Sequence, residues 1–122
     1  MSFKMFKKQM TGTIIPNGAV KELGVQTAYV LGELIDKYSM FRKYRKLNNK
    51  GHFFYTIDAF EKSTGIKRSV QERAIKILTE RELISTAKYG LPVRRFFWFT
   101  KDNFKNILAL ESDRLKSNDK DC

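Results

Sequence analysis

Arg68, Ser69, Glu72, Arg73 and Lys76 set the first chemical question, because they share one side of a helix predicted over about residues 68–81. Ala74, Ile75, Ile77 and Leu78, with Val70 or Gln71, form the opposite, apolar stripe. Lys67, at the predicted helix start, joins the polar set. Guanidinium, hydroxyl, carboxylate and ammonium groups are thus gathered on one face, and that set matches the edges of base pairs. An arginine at 68 or 73 has the fork geometry for guanine, and Glu72 is able to accept from cytosine. An ordinary amphipathic helix with a solvated charged face carries the same pattern, so the neighbouring elements must decide.

The next segment is a predicted hairpin near residues 84–99. Leu83-Ile84-Ser85-Thr86-Ala87-Lys88 and Arg94-Arg95-Phe96-Phe97-Trp98-Phe99-Thr100 are β-prone runs, and Gly90-Leu91-Pro92 between them is a turn signal. Lys88, Arg94 and Arg95 flank the tip, where cations suit phosphate contact or an adjacent minor groove. Charge on an edge hairpin also guards against strand-to-strand aggregation. Tyr89 is the expected exposed aromatic of the tip. The contiguous aromatics 96–99 invite base stacking on a single strand. Alternate residues of a strand face opposite sides, however, so most of them are expected in the core.

Other elements must hold these two in place. Val30, Leu31, Leu34, Ile35, Tyr38 and Phe41 recur at spacings of three and four and predict a helix over 26–45, with cations crowding its end. Asn17 is expected to cap a short helix through Leu23, ended by Gly24. Phe53-Phe54-Tyr55 reads as a short strand. Thr56 is the expected cap of a helix over about 57–63, broken at Thr64-Gly65, with Ile66 buried in the turn. Ser69 and Glu72 have capping-box spacing at the start of the next helix. Asp102 is the expected cap of a last helix, with Phe104, Ile107, Leu108 and Leu115 toward one side.

Composition narrows the function classes. The 122 residues suit one domain, with a basic arm at 1–13, a folded region at 14–116 and a disordered tail at 117–122. Lys plus Arg number 24 against 13 acids, a net charge of +11 that predicts a polyanionic partner. The lone Cys122 and lone His52 leave no internal disulfide and no Cys- or His-rich metal site. No P-loop, His-Glu-x-x-His or Cys/His pair is present, and the carboxylates are dispersed, so neither an enzyme nor a bound cofactor is expected. His52 reads as a bystander. No apolar run approaches the roughly 20 residues of a membrane helix, and no signal peptide is read, so a cytoplasmic protein without membrane attachment is expected.

With these residues in view, the chain resembles the winged-helix N-terminal domains of phage replisome organisers and plasmid replication initiators. The matching run is Thr64-Gly65-Ile66, then Gln71-x-Arg73-Ala74-Ile75-x-x-Leu78, Leu83-Ile84, and Gly90-x-Pro92-x-Arg94-Arg95 with aromatics after it. Ile15-Pro16 and Ala28-x-Val30-Leu31 look like the lead-in of that group, so the resemblance spans most of 14–100. It implies an α+β, mainly helical winged helix-turn-helix with a short first strand, a two-stranded wing and a C-terminal helix. It further implies sequence-specific binding of double-stranded DNA in replication or transfer of a phage, plasmid or other mobile element. A small transcription regulator of the same fold, or a protein-interaction domain using the wing and C-terminal helix, are the other readings. A second copy of the chain and replication or transfer proteins are the further partners this reading admits. Such domains usually place Gly before the Leu-Ile pair; here Glu82 stands, so a different junction is expected. The short stretch after residue 116 favours an autonomous DNA binder over a helicase-loading initiator.

Overall fold

The computed structural model describes residues 17–110. The predicted arm, the extended piece at 14–16, Leu115 and the tail lie outside the described residues. In chain order the elements are α1 (Asn17–Leu23), α2 (Val25–Lys43), β1 (Phe53–Phe54), α3 (Ile57–Thr64), α4 (Arg68–Glu80), β2 (Ser85–Tyr89) and β3 (Arg94–Trp98). A last helix, α5, occupies residues 101–110. The fold is therefore α+β and mainly helical, with one antiparallel sheet in the order β1-β3-β2. That layout is compatible with a winged helix-turn-helix.

Gly24 divides α1 from α2. It lies at φ 86°, where a side chain would be strained; its N–H bonds to Val20 and its carbonyl accepts from Ala28. The predicted stripe of α2 then forms the central wall of the core. Val30, Leu31 and Leu34 are wholly buried, while Tyr38 and Phe41 are half-buried and meet Phe99 and Phe53 at ring distances of 5.3 and 5.5 Å. Phe60 of α3, Ala74, Ile75 and Leu78 of α4, Phe97 of β3 and Ile107 of α5 close the same core. Within the stripe of α2, Glu33 is buried and accepts from the Tyr55 hydroxyl at 3.0 Å. Desolvation raises Tyr55 to about 12, with the Glu33 carboxylate adding to the shift.

Thr56 caps α3 as expected, its hydroxyl accepting from Ala59 N–H. Gly65 ends that helix in the left-handed region. The end of α4 departs from the expected junction. Glu82 itself takes the left-handed conformation at φ 58°, with Glu82 N–H bonded to Thr79 and Leu83 N–H to Leu78. This is the Schellman arrangement, with buried Leu83 against buried Leu78. A non-glycine residue is tolerated because its carbonyl accepts from Asn103 Nδ2 at 2.8 Å and Asn106 Nδ2 at 3.0 Å.

The start of α5 needs a correction as well. Its cap is Thr100, not Asp102. Asn103 N–H donates to the Thr100 hydroxyl, and Thr100 N–H donates to Asn103 Oδ1, a reciprocal pair that Asp102 has no part in. Asn103 is therefore the buried residue of the first turn, and Leu108, expected inward, is 62% exposed.

Two outcomes follow for stability. Asn103→Ala leaves the Thr100 cap in place but removes its reciprocal bond from Thr100 N–H and the links to Ser85 of β2 and to the Glu82 carbonyl, and we expect a loss of about 2–3 kcal/mol in denaturant unfolding. Glu82→Gly relieves the left-handed strain and should gain ~0.5 kcal/mol. For pH, Tyr55 is raised in the folded state, so its contribution is fully present below pH 10 and is lost as pH rises toward 12. The difference in unfolding free energy between the parent and Tyr55→Phe should shrink across that window.

Candidate nucleic-acid interface

Three residues, Gly65-Ile66-Lys67, join α3 to α4. A turn this short fixes the angle between the two helices, and one side chain locks it. Gln71 is wholly buried. Its amide donates to the carbonyl of Ile57 at 3.1 Å and to that of Ile66 at 2.8 Å. Its oxygen accepts from Arg95 Nη2 at 3.0 Å. Gln71, rather than Val70, is thus the inward residue of the first turns. The amide ties the start of α3, the turn and β3 to α4.

The outward face of α4 keeps its predicted membership. Lys67, Arg68, Ser69, Glu72, Arg73 and Lys76 are all exposed. They are not equally free. Arg68 Nε lies 3.3 Å from Glu72 Oε1, an i,i+4 pair open to solvent, and such pairs contribute little and exchange readily. The capping box is not made: Lys67 is the cap and its side chain bonds nothing there, while Glu72 turns to Arg68. Arg73 Nη2 donates to Gln26 Oε1 at 3.3 Å, which draws the first turn of α2 into the same surface. Lys67 and Lys76 have no side-chain partner among the described residues.

On the hairpin the four predicted residues divide. Lys88 and Arg94 are exposed, Arg94 with its guanidinium 4.5 Å from the Phe54 ring centre. Arg95 does not face outward as expected. Strand alternation puts it on the same face as buried Phe97, over whose ring it lies at 5.0 Å; desolvation pulls it down to about 10, opposed by the charge of Glu72. It remains cationic at neutral pH, bonded to Gln71, with its Nε buried and without a hydrogen-bond partner.

Tyr89 is also not the free aromatic expected. Its ring stacks on Phe96 at 4.0 Å, with the Lys50 ammonium 4.7 Å from its centre. Its hydroxyl accepts from Asn48 Nδ2 and meets His52 Nδ1, each at 2.9 Å. His52 stacks on Trp98 at 3.8 Å, and burial, aided by the Lys50 charge, lowers its pKa. A neutral imidazole leaves Nδ1 able to accept the Tyr89 proton. His52 is therefore a fastening between the 48–52 loop and the hairpin. The aromatic run divides by parity: Phe97 and Phe99 are buried, while Phe96 and Trp98 are half-buried under Tyr89 and His52.

Gln26 and Asn48 carry no signal in side-chain type, and His52, expected as a bystander, instead meets Tyr89 and Trp98. Gln71, a glutamine within an apolar stripe, was the one available signal. Among the described residues no group of three or more His, Cys, Asp or Glu is placed to hold a metal ion, and no helix is long and apolar enough to cross a membrane. Comparison with protein-family models, with curated proteins and with solved structures gives no match for this chain.

Gln71→Ala leaves two carbonyls and a guanidinium without their partner, and we expect about 3 kcal/mol of destabilisation in chemical unfolding. Arg94→Ala, which removes an exposed cation and its contact with the Phe54 ring, should stay within about 1 kcal/mol of the parent.

Proposed function

We propose that this chain is a winged helix-turn-helix protein that binds double-stranded DNA sequence-specifically. In this reading α4 lies in the major groove with α3 supporting it. The β2–β3 hairpin is the wing, set against adjacent phosphates or the neighbouring minor groove. The process would be replication or DNA transfer of a phage, plasmid or other mobile element.

The observation that carries the reading is the Arg95–Gln71 bond. It fastens the hairpin next to its tip to the first turns of α4, so Lys88 and Arg94 stand in a fixed relation to Lys67, Arg68, Arg73 and Lys76. Two cationic elements held together by a buried polar link suit a rigid polyanion better than a solvated surface would require. Arg73 and Lys76 are the residues for base edges, since both project from the middle of α4. Arg68 and Glu72 have to part before either reaches a base, and their exposed pair makes that a small cost. The net charge of +11 supplies the long-range attraction.

Selection of bound fragments from random duplex is the direct test. Recovery of a common sequence supports the reading; failure to retain any duplex at low salt overturns it. On the selected duplex, Arg73→Ala or Lys76→Ala should cost discrimination, about 1–3 kcal/mol at the base concerned. Arg94→Ala should weaken all duplexes alike and reduce the slope of log K against log salt by about 1. Arg95→Ala should act on stability more than on the salt slope, because its charge faces inward.

A further inference from the structure

The tip of the hairpin carries a feature that phosphate contact does not use. Leu91 is 100% exposed and Val93 is 65% exposed, although cations lie on either side of them in the strands. The two strands end at the Tyr89–Arg94 pair, so Gly90, Leu91, Pro92 and Val93 form the whole loop. Gly90 lies at φ +96°, and a Cβ there would stand 3.4 Å from the Pro92 carbonyl oxygen. The loop is therefore narrow and closely folded on itself.

Its base is fastened on both strands. On β2, the last residue Tyr89 is tied to Asn48 and His52 and stacked on Phe96. On β3, Arg95 is tied to Gln71 of α4. A side chain that projects into water from a base so held is carried on backbone whose position is set before any partner arrives. Binding through it then sacrifices little conformational freedom.

We propose that Leu91 is an intercalating wedge that enters the minor groove of duplex DNA and opens one base step, with Lys88 and Arg94 on the flanking phosphates. The proposal rests on the duplex-binding reading given above. The partner follows from shape and charge together. The minor groove, about 6 Å wide, admits a loop tip and no helix. Apolar side chains inserted there part the stacked bases and kink the duplex by about 20–90°. The cations beside Leu91 match the phosphates that border that groove, whereas an apolar protein pocket would require Lys88 and Arg94 to shed water without compensation.

The test uses the full chain and a duplex recovered by selection. 2-Aminopurine is placed at successive steps to report unstacking, and end-to-end energy transfer reports bending. We expect a fluorescence rise at one step next to the α4 footprint, and a bend. In Leu91→Ser both should disappear while affinity falls about tenfold; Leu91→Met should retain both. Since Leu91 touches nothing in the protein, thermal unfolding of either variant should match the parent. Binding by the parent with no unstacking at any step, or with unstacking and bending that persist in Leu91→Ser, overturns the wedge and leaves the duplex-binding reading standing. Absence of duplex binding by the parent overturns the reading itself and the wedge with it.

Discussion

An amide side chain has two N–H donors and one carbonyl oxygen, and in Gln71 all three are engaged inside the protein. The donors reach two backbone carbonyls, one at the start of α3 and one in the turn; the oxygen receives a guanidinium from β3. Burying an amide without partners is strongly unfavourable, so only the arrangement that satisfies all three groups is tolerated at this position. That constraint sets the α3–α4 angle and the seating of the sheet at once. The apolar contacts of Ala74, Ile75 and Leu78 would accept small rotations of α4; a hydrogen-bonded amide does not.

The same bond changes how the charge of the hairpin is counted. Lys88, Arg94 and Arg95 look alike in the sequence, yet strand parity places Arg95 with Phe97 and Arg94 with the exposed Phe54. One cation is structural and two are available. Likewise Arg68 and Glu72 neutralise one another on the outer face of α4, which concentrates the unpaired charge at Lys67 and Lys76. The surface available to a polyanion is smaller than the composition suggests, and it is more sharply placed.

Much of the fold was legible because it rests on local physics. The spacing of Leu31, Leu34 and Ile35 gave α2, Thr56 and Gly65 bounded α3, and the Gly90-Leu91-Pro92 turn gave the hairpin. What escaped depended on partners distant in the chain. Thr100 caps α5 in place of Asp102 because Asn103, which bonds back to it, also reaches Ser85 and Glu82. Tyr89 was not free because Asn48 and His52, some forty residues earlier, approach its hydroxyl. Of the candidate interface, the exposure of the α4 face follows from its spacing, whereas its pairings, Arg68 with Glu72 and Arg73 with Gln26, and the positions of Arg95 and Tyr89 do not. Exposure of a polar side chain depends on what lies opposite it, and spacing along the chain carries no record of that.

The junction after α4 has a consequence for how the molecule comes apart. Glu82 holds a left-handed backbone whose carbonyl accepts from Asn103 and Asn106 of α5. If α5 melts, that carbonyl loses both donors while the strain of the left-handed residue persists, so the end of α4 loosens with it. The two helices therefore belong to one cooperative unit. Amide hydrogens in the last turn of α4 and the first turn of α5 should share a common opening, unlike those of an ordinary frayed terminus.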